Sequence, residues 1–149
     1  MPNTLFATTG AFVDTRTLPV AGTYTITVDP QGAATGSATL TLYDVPPDVT
    51  GSVTAGGGPQ PISLGTPGQN ARMTFAGHAG QAISLKLSSV TISIGYASIL
   101  KPDGSALVSN AIFSTFDRTI TATLPADGTY TIVIDPQGAA TGGLSLTLT

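Results

Sequence analysis

The strongest constraint on the fold is a segment that occurs twice. Residues 17–43 and 123–149 align without a gap, and 19 of the 27 positions are identical. Thr123 to Gly142 reads Thr-Leu-Pro-Ala-Asp-Gly-Thr-Tyr-Thr-Ile-Val-Ile-Asp-Pro-Gln-Gly-Ala-Ala-Thr-Gly, and Thr17 to Gly36 differs from it only at residues 20, 21, 27 and 28. In the first copy Tyr24, Ile26 and Val28 alternate with Thr23, Thr25 and Thr27. Period two with β-branched residues predicts a strand with one buried face. A second strand follows, with Ala38, Leu40 and Leu42 inward and Thr39 and Thr41 outward. Between them Asp29-Pro30-Gln31-Gly32 has turn chemistry, because Pro presets φ and Gly tolerates positive φ.

The rest of the chain reads the same way. Thr, Ser, Gly and Ala replace Lys and Glu on the surface, all eight acids are Asp, and only 9% of residues are charged. That composition disfavours helices and suits strands joined by short Gly/Pro turns. With 149 residues, 41% of them apolar, the chain can bury a core of ordinary domain size. A net charge of −3 with five scattered basic residues gives no patch for phosphates, so nucleic acid is not expected as a partner. No apolar run approaches the roughly 20 residues needed to span a bilayer. Neither a basic n-region nor an apolar h-region opens the sequence, so no signal peptide is expected. The absence of Cys removes disulfides and thiolate metal sites.

Strands are predicted at Gly51–Thr54, Gln60–Leu64, Asn70–Phe75, Ala82–Leu87, Ile94–Leu100, Ala106–Phe113, Arg118–Leu124, Thr129–Asp135 and Gly143–Thr149. Breakers such as 56–59 (Gly-Gly-Gly-Pro) and 101–104 (Lys-Pro-Asp-Gly) separate them. Short strands at this spacing indicate an all-β, antiparallel β-sandwich or jelly-roll-like domain over residues 51–149. Upstream, strands are predicted at Ala11–Thr17, Gly22–Val28 and Ser37–Tyr43, with a short one around Leu5 and Phe6. Residues 44–50, with Pro46 and Pro47, read as a linker.

Asn3 to Phe6 also matches Asn110 to Phe113. Residues 1–43 therefore correspond to the C-terminal half of a sandwich repeat, and the chain reads as a window on a tandem array with a period near 106 residues. Half a sandwich has an apolar face without an opposing sheet and edges without partner strands. Burying even about 400 Å² of that face would be worth about 10 kcal/mol before entropy. Self-association is the expectation, through Leu5, Phe6, Phe12, Tyr24, Ile26, Val28, Leu40 and Leu42, either packed on the complete domain or completed by a second chain.

The stretch from Leu124 to Pro136, the hairpin from Ile99 to Ser105, and the opening strands from Pro67 to Phe75 and Gly80 to Leu85 resemble the bacterial pre-peptidase C-terminal domain family. The likeness spans about residues 60–149 and again 11–43. It implies a jelly-roll-like, non-catalytic accessory sandwich of the kind found in large secreted or surface-anchored bacterial proteins, including some with YD/RHS-type repeats. Such domains act as spacers, secretion-associated modules, or binders of matrix or polysaccharide, and some bind Ca²⁺ through acidic loops.

Candidate chemistry is sparse. His78 is the only histidine, it lies in a Gly-His-Ala-Gly turn, and no Gly-x-Ser-x-Gly elbow accompanies it. Paired carboxylates could serve glycoside hydrolysis. There is no Glu, however, and Asp29, Asp103, Asp127 and Asp135 adjoin Pro or Gly, where Asp caps turns. A Ca²⁺ site could form if Asp14 met Asp29, or Asp117 met Asp135, across neighbouring loops. Glycan stacking would use exposed aromatics. There is no Trp, Tyr24 and Tyr130 occupy core-type strand positions, and Tyr43 is the one expected to be exposed. The sequence thus points to a non-enzymatic extracellular or cell-surface structural module without a cofactor. The alternative is a polysaccharide- or matrix-binding module, Ca²⁺-assisted.

Overall fold

The computed structural model describes residues 4–149. Asn3, the first residue of the short match to 110–113, lies outside them. Nine strands form among the described residues: β1 Val49–Ser52, β2 Gln60–Leu64, β3 Ala71–Gly77, β4 Ala82–Ser88, β5 Ile94–Leu100, β6 Ala106–Ser114, β7 Arg118–Thr123, β8 Gly128–Pro136 and β9 Gly142–Leu148. Each falls on a predicted strand, within a few residues. They build two sheets, ordered β1-β3-β8-β5-β6 and β2-β9-β4-β7. Only β1 and β3 run parallel.

Alternation sets the core. Ile83, Leu85 and Leu87 on β4 face Met73 and Phe75 of β3 and Tyr130, Ile132 and Ile134 of β8 across the sandwich, and all are buried. Leu144, Leu146 and Leu148 complete the layer from β9. The Phe75 and Tyr130 rings stack at 5.3 Å, on neighbouring strands in register. At Gly95 a Cβ would stand 2.4 Å from the Phe113 ring, so only Gly lets that ring lie against β5.

The structure corrects two expectations about strands. First, β1 begins at Val49, inside the segment read as linker. Its N–H donates to the Asn70 carbonyl (2.9 Å), which starts the parallel ladder with β3. The linker is also anchored: Gln69, a buried polar side chain, donates from Nε2 to the Pro47 carbonyl (3.0 Å). Second, the strands predicted at Ala11–Thr17, Gly22–Val28, Ser37–Tyr43 and around Leu5-Phe6 do not form. Among the described residues of that segment, the one ladder-type contact is a bridge between Ala7 and Gly10.

Topology gives the reason. The ladders of the sandwich are β1·β3, β2·β9, β3·β8, β4·β7, β4·β9, β5·β6 and β5·β8. No two of β6, β7, β8 and β9 pair with each other. A segment that repeats their sequence therefore has no internal ladder to form. Its partners would have to be strands of the β1–β5 type, and in this chain those are already paired to β6–β9.

Candidate interaction surface

Residues 17–43 keep two local features of residues 123–149, a tyrosine bond and a turn, without the sheets. In the C-terminal copy the Tyr130 hydroxyl donates to the Ala126 carbonyl (2.7 Å) and lies 3.3 Å from the Ala126 N–H. Such a tyrosine corner fixes the entry of the chain into a strand. In the N-terminal copy the Tyr24 hydroxyl donates to the Val20 carbonyl at the same 2.7 Å, with the Val20 N–H at 3.4 Å. The turn between the two strands is also kept. Ala140 N–H donates to the Gln137 carbonyl and Ala34 N–H to the Gln31 carbonyl, each at 3.2 Å. Gly138 and Gly32 sit at φ of 60° and 61°. These contacts are short-range, so the sequence makes them wherever the segment lies.

Burial is what differs. Tyr130 is 0% exposed and Tyr24 is 41%, which corrects the expectation of a core position for Tyr24. Leu146 is 0% and its counterpart Leu40 is 62%; Leu148 is 1% and Leu42 is 85%. Ile26, Val28, Leu5 and Phe6 are exposed as well. Phe12 is half-buried, beside Val45 and Gly68. Seven of the eight side chains named as an assembly face thus stand in solvent, and the eighth fixes the arm to the body. Thr15 strengthens that attachment, its hydroxyl donating to the Gly68 carbonyl (2.6 Å).

The attachment creates a small cavity of about 150 Å³, lined by Phe12, Asp14, Asp135, Pro136, Gln137 and Gly138. It brings Asp14 beside Asp135, a pairing across arm and body that the sequence did not suggest. Burial, the Asp14 charge and, more weakly, the Asp48 charge push the Asp135 carboxyl above its ordinary range, against a lowering hydrogen bond from Gln137. A folded carboxyl that holds its proton more tightly favours the folded state at low pH and loses that contribution as pH rises through the folded pKa. Asp135→Asn is therefore expected to raise stability at neutral pH, by about a few tenths of a kcal/mol after solvent screening. The gain should vanish well below the ordinary Asp range, as read by denaturant melts at a series of pH values.

The other candidate residues serve turns and ion pairs. Asp117 lies 3.0 Å from Lys86 Nζ, and Asp29 is exposed on the arm. Among the described residues no group of three or more acidic or histidine side chains converges. His78 is exposed, with Nδ1 3.5 Å from Asp127, whose carboxylate accepts the Ala79 N–H (2.9 Å). Asp103 accepts both the hydroxyl and the N–H of Ser105, and these bonds hold its carboxyl below the usual range. A broad depression of about 530 Å³ lies over β4 and β7, lined by Ala82, Ile83, Ser84, Thr121, Ala122, Thr123 and Thr149, without a titratable side chain among them. Among the described residues no helix is long and apolar enough to cross a membrane.

No protein-family model and no curated protein matches this sequence. Among solved structures, the pre-peptidase C-terminal domain of collagenase from Bacillus anthracis superposes with a TM-score of 0.51 at 12% identity, covering 71% of this chain and 100% of that domain. The chain has a pre-peptidase C-terminal-like fold. PliG of Aeromonas hydrophila, a periplasmic inhibitor of g-type lysozyme, also matches, over 68% of this chain and 99% of its own, at 16% identity and a TM-score of 0.45. The pre-peptidase C-terminal-like sandwich accounts for the two sheets and their core. The arm is what this chain adds to them.

Proposed function

We propose that this chain is a non-catalytic structural module of an extracellular or cell-surface protein, and that it self-associates through residues 4–43. One observation carries the reading. Side chains that are buried in the C-terminal copy of the repeat stand in solvent in the N-terminal copy. A soluble protein rarely leaves so extended an apolar face uncovered unless it is an interaction surface. The polar residues favour the same view, because Asp103, Asp117, Asp127 and His78 each have a structural partner. One of the solved neighbours is, by its description, a domain of a collagenase. That favours a module within a larger protein, and an extracellular setting.

Sedimentation velocity and electron microscopy across a wide range of protein concentration test the proposal. The average mass should rise with concentration and ordered assemblies should appear. Ile26→Asp combined with Leu40→Asp should remove the rise and leave the melting temperature of the sandwich unchanged. A monomer at every concentration, with fast amide exchange throughout residues 4–43, would sink it.

A further inference from the structure

We infer that residues 17–43 are a donor of two strands shaped for the β8 and β9 slots of a second copy of this chain, which they enter by exchange with that copy's own β8 and β9. The inference rests on the assembly reading above and specifies the contact that makes it. At the buried positions the arm carries either the same residue or a smaller one. Leu18, Tyr24, Ile26, Leu40 and Leu42 repeat Leu124, Tyr130, Ile132, Leu146 and Leu148, while Val28 stands for Ile134 and Ala38 for Leu144. Nothing at those positions would overpack the slot. The tyrosine corner and the intervening turn are already formed, so the arm enters with part of its ordering done.

Three differences favour the resident strands. Ala38 and Val28 fill less of the core than Leu144 and Ile134. Ser37 replaces Gly143, where a Cβ would stand 2.8 Å from the Ile62 carbonyl. Resident β8 and β9 therefore hold the slots at rest, and exchange is the minor state.

The acceptor is a second copy because the arm cannot reach its own sandwich. Leu148, the counterpart of Leu42, lies at the far end of β1, its carbonyl accepting the Gly56 N–H (2.8 Å). Pro47 is held ahead of the near end of β1 by Gln69. The steps from Leu42 to Pro47 span at most about 17 Å, whereas the extended chain from Pro47 along β1 to Val53, whose N–H donates to the Thr74 carbonyl (2.9 Å), already covers about 20 Å, and Gly56 lies beyond it. Each exchange frees a β8–β9 pair that is itself a donor, so the contact propagates from copy to copy and is open-ended.

The sequence has no Cys, which makes the test direct. Arg72 on β3 pairs with Val133 on β8, and the arm residue equivalent to Val133 is Thr27. Full-length Thr27→Cys is mixed with full-length Arg72→Cys in a thiol–disulfide buffer, with and without Leu146→Ala in the acceptor to loosen its resident β9. A single chain carrying Arg72→Cys and Val133→Cys calibrates the geometry of the bridge. Thr25→Cys with Arg72→Cys supplies the off-register pair. The expected result is an intermolecular disulfide between the Thr27→Cys donor and the Arg72→Cys acceptor. It should form at least about tenfold faster than the off-register one, a gap of about 1.4 kcal/mol, and faster again with Leu146→Ala. Equal rates for the two pairs, while the calibrating chain oxidises fully, overturn the inference. If the protein still assembles in that case, the assembly reading stands and only the strand exchange falls. If Leu146→Ala prevents the acceptor from folding, the acceptor with its native β9 still gives the rate comparison.

Discussion

Tyr130→Ala should lower the unfolding free energy of the sandwich by about 3–5 kcal/mol, the usual range for deleting a buried aromatic side chain. Tyr24→Ala should change it by less than about 0.5 kcal/mol. The two residues occupy the same sequence, and each hydroxyl closes the same bond four residues back at 2.7 Å. What separates them is the wall of the sandwich. Tyr130 stacks on Phe75 and is sealed beneath Leu124 and Gly77, where a Cβ on Gly77 would already meet the Leu124 side chain. For a domain of about 100 residues, 1 kcal/mol corresponds to about 4–8 °C. The Tyr130 variant should thus melt more than about 10 °C below the parent, with the Tyr24 variant close to it. Tyr130→Phe isolates the hydroxyl and should cost only about 1 kcal/mol. Thermal melts followed by circular dichroism decide the matter, and equal losses at both positions would mean that the arm is packed as the body is.

Amide exchange offers the second large contrast. At dilutions that keep the chain monomeric, the amides of Ile132 and Ile134 should exchange only when the sandwich opens. With a stability of at least about 5 kcal/mol, that slows them by about a thousandfold or more. The amides of Ile26 and Val28 have no ladder and should exchange near the rate of an unstructured chain. The eight differing positions give the two segments distinct masses and chemical shifts, so both can be followed in one sample. Protection of Ile26 that appears only as concentration rises would report the arm entering a sheet. Strong protection in the dilute monomer would contradict the exposed arm.

The body of the fold was legible because its signals are local. Ile83, Leu85 and Leu87 alternate with polar residues, and breakers such as Lys101-Pro102-Asp103-Gly104 close each strand. Both features report which face of a strand can be buried and where it must stop. Neither reports who its neighbour is. Tyr24, Ile26 and Val28 carry the same alternation as Tyr130, Ile132 and Ile134, yet only the latter have β3 and β5 on either side. Partnership in a sheet is decided far along the chain, and no window around Tyr24 contains it. The same limit hid the shared cavity of Asp14 and Asp135, which depends on where Phe12 and Thr15 fix the arm. The turn roles of Asp103 and Asp127 were legible because Asp beside Gly or Pro acts within a few residues.

The order of the strands has a consequence for how the molecule reaches its folded state. Apart from β1·β3, every ladder joins one of the first five strands to one of the last four. A growing or emerging chain therefore has almost no native pairing available until β6 is out, and the sandwich closes only with β9, whose strand ends at Leu148. Contacts this distant in sequence require long loops to close before any gain is realised, which makes folding slow and late. Throughout that interval the strands β1–β5 wait with open edges, and the first matching segment that a neighbouring copy presents to them, made before any of its body, is that copy's arm.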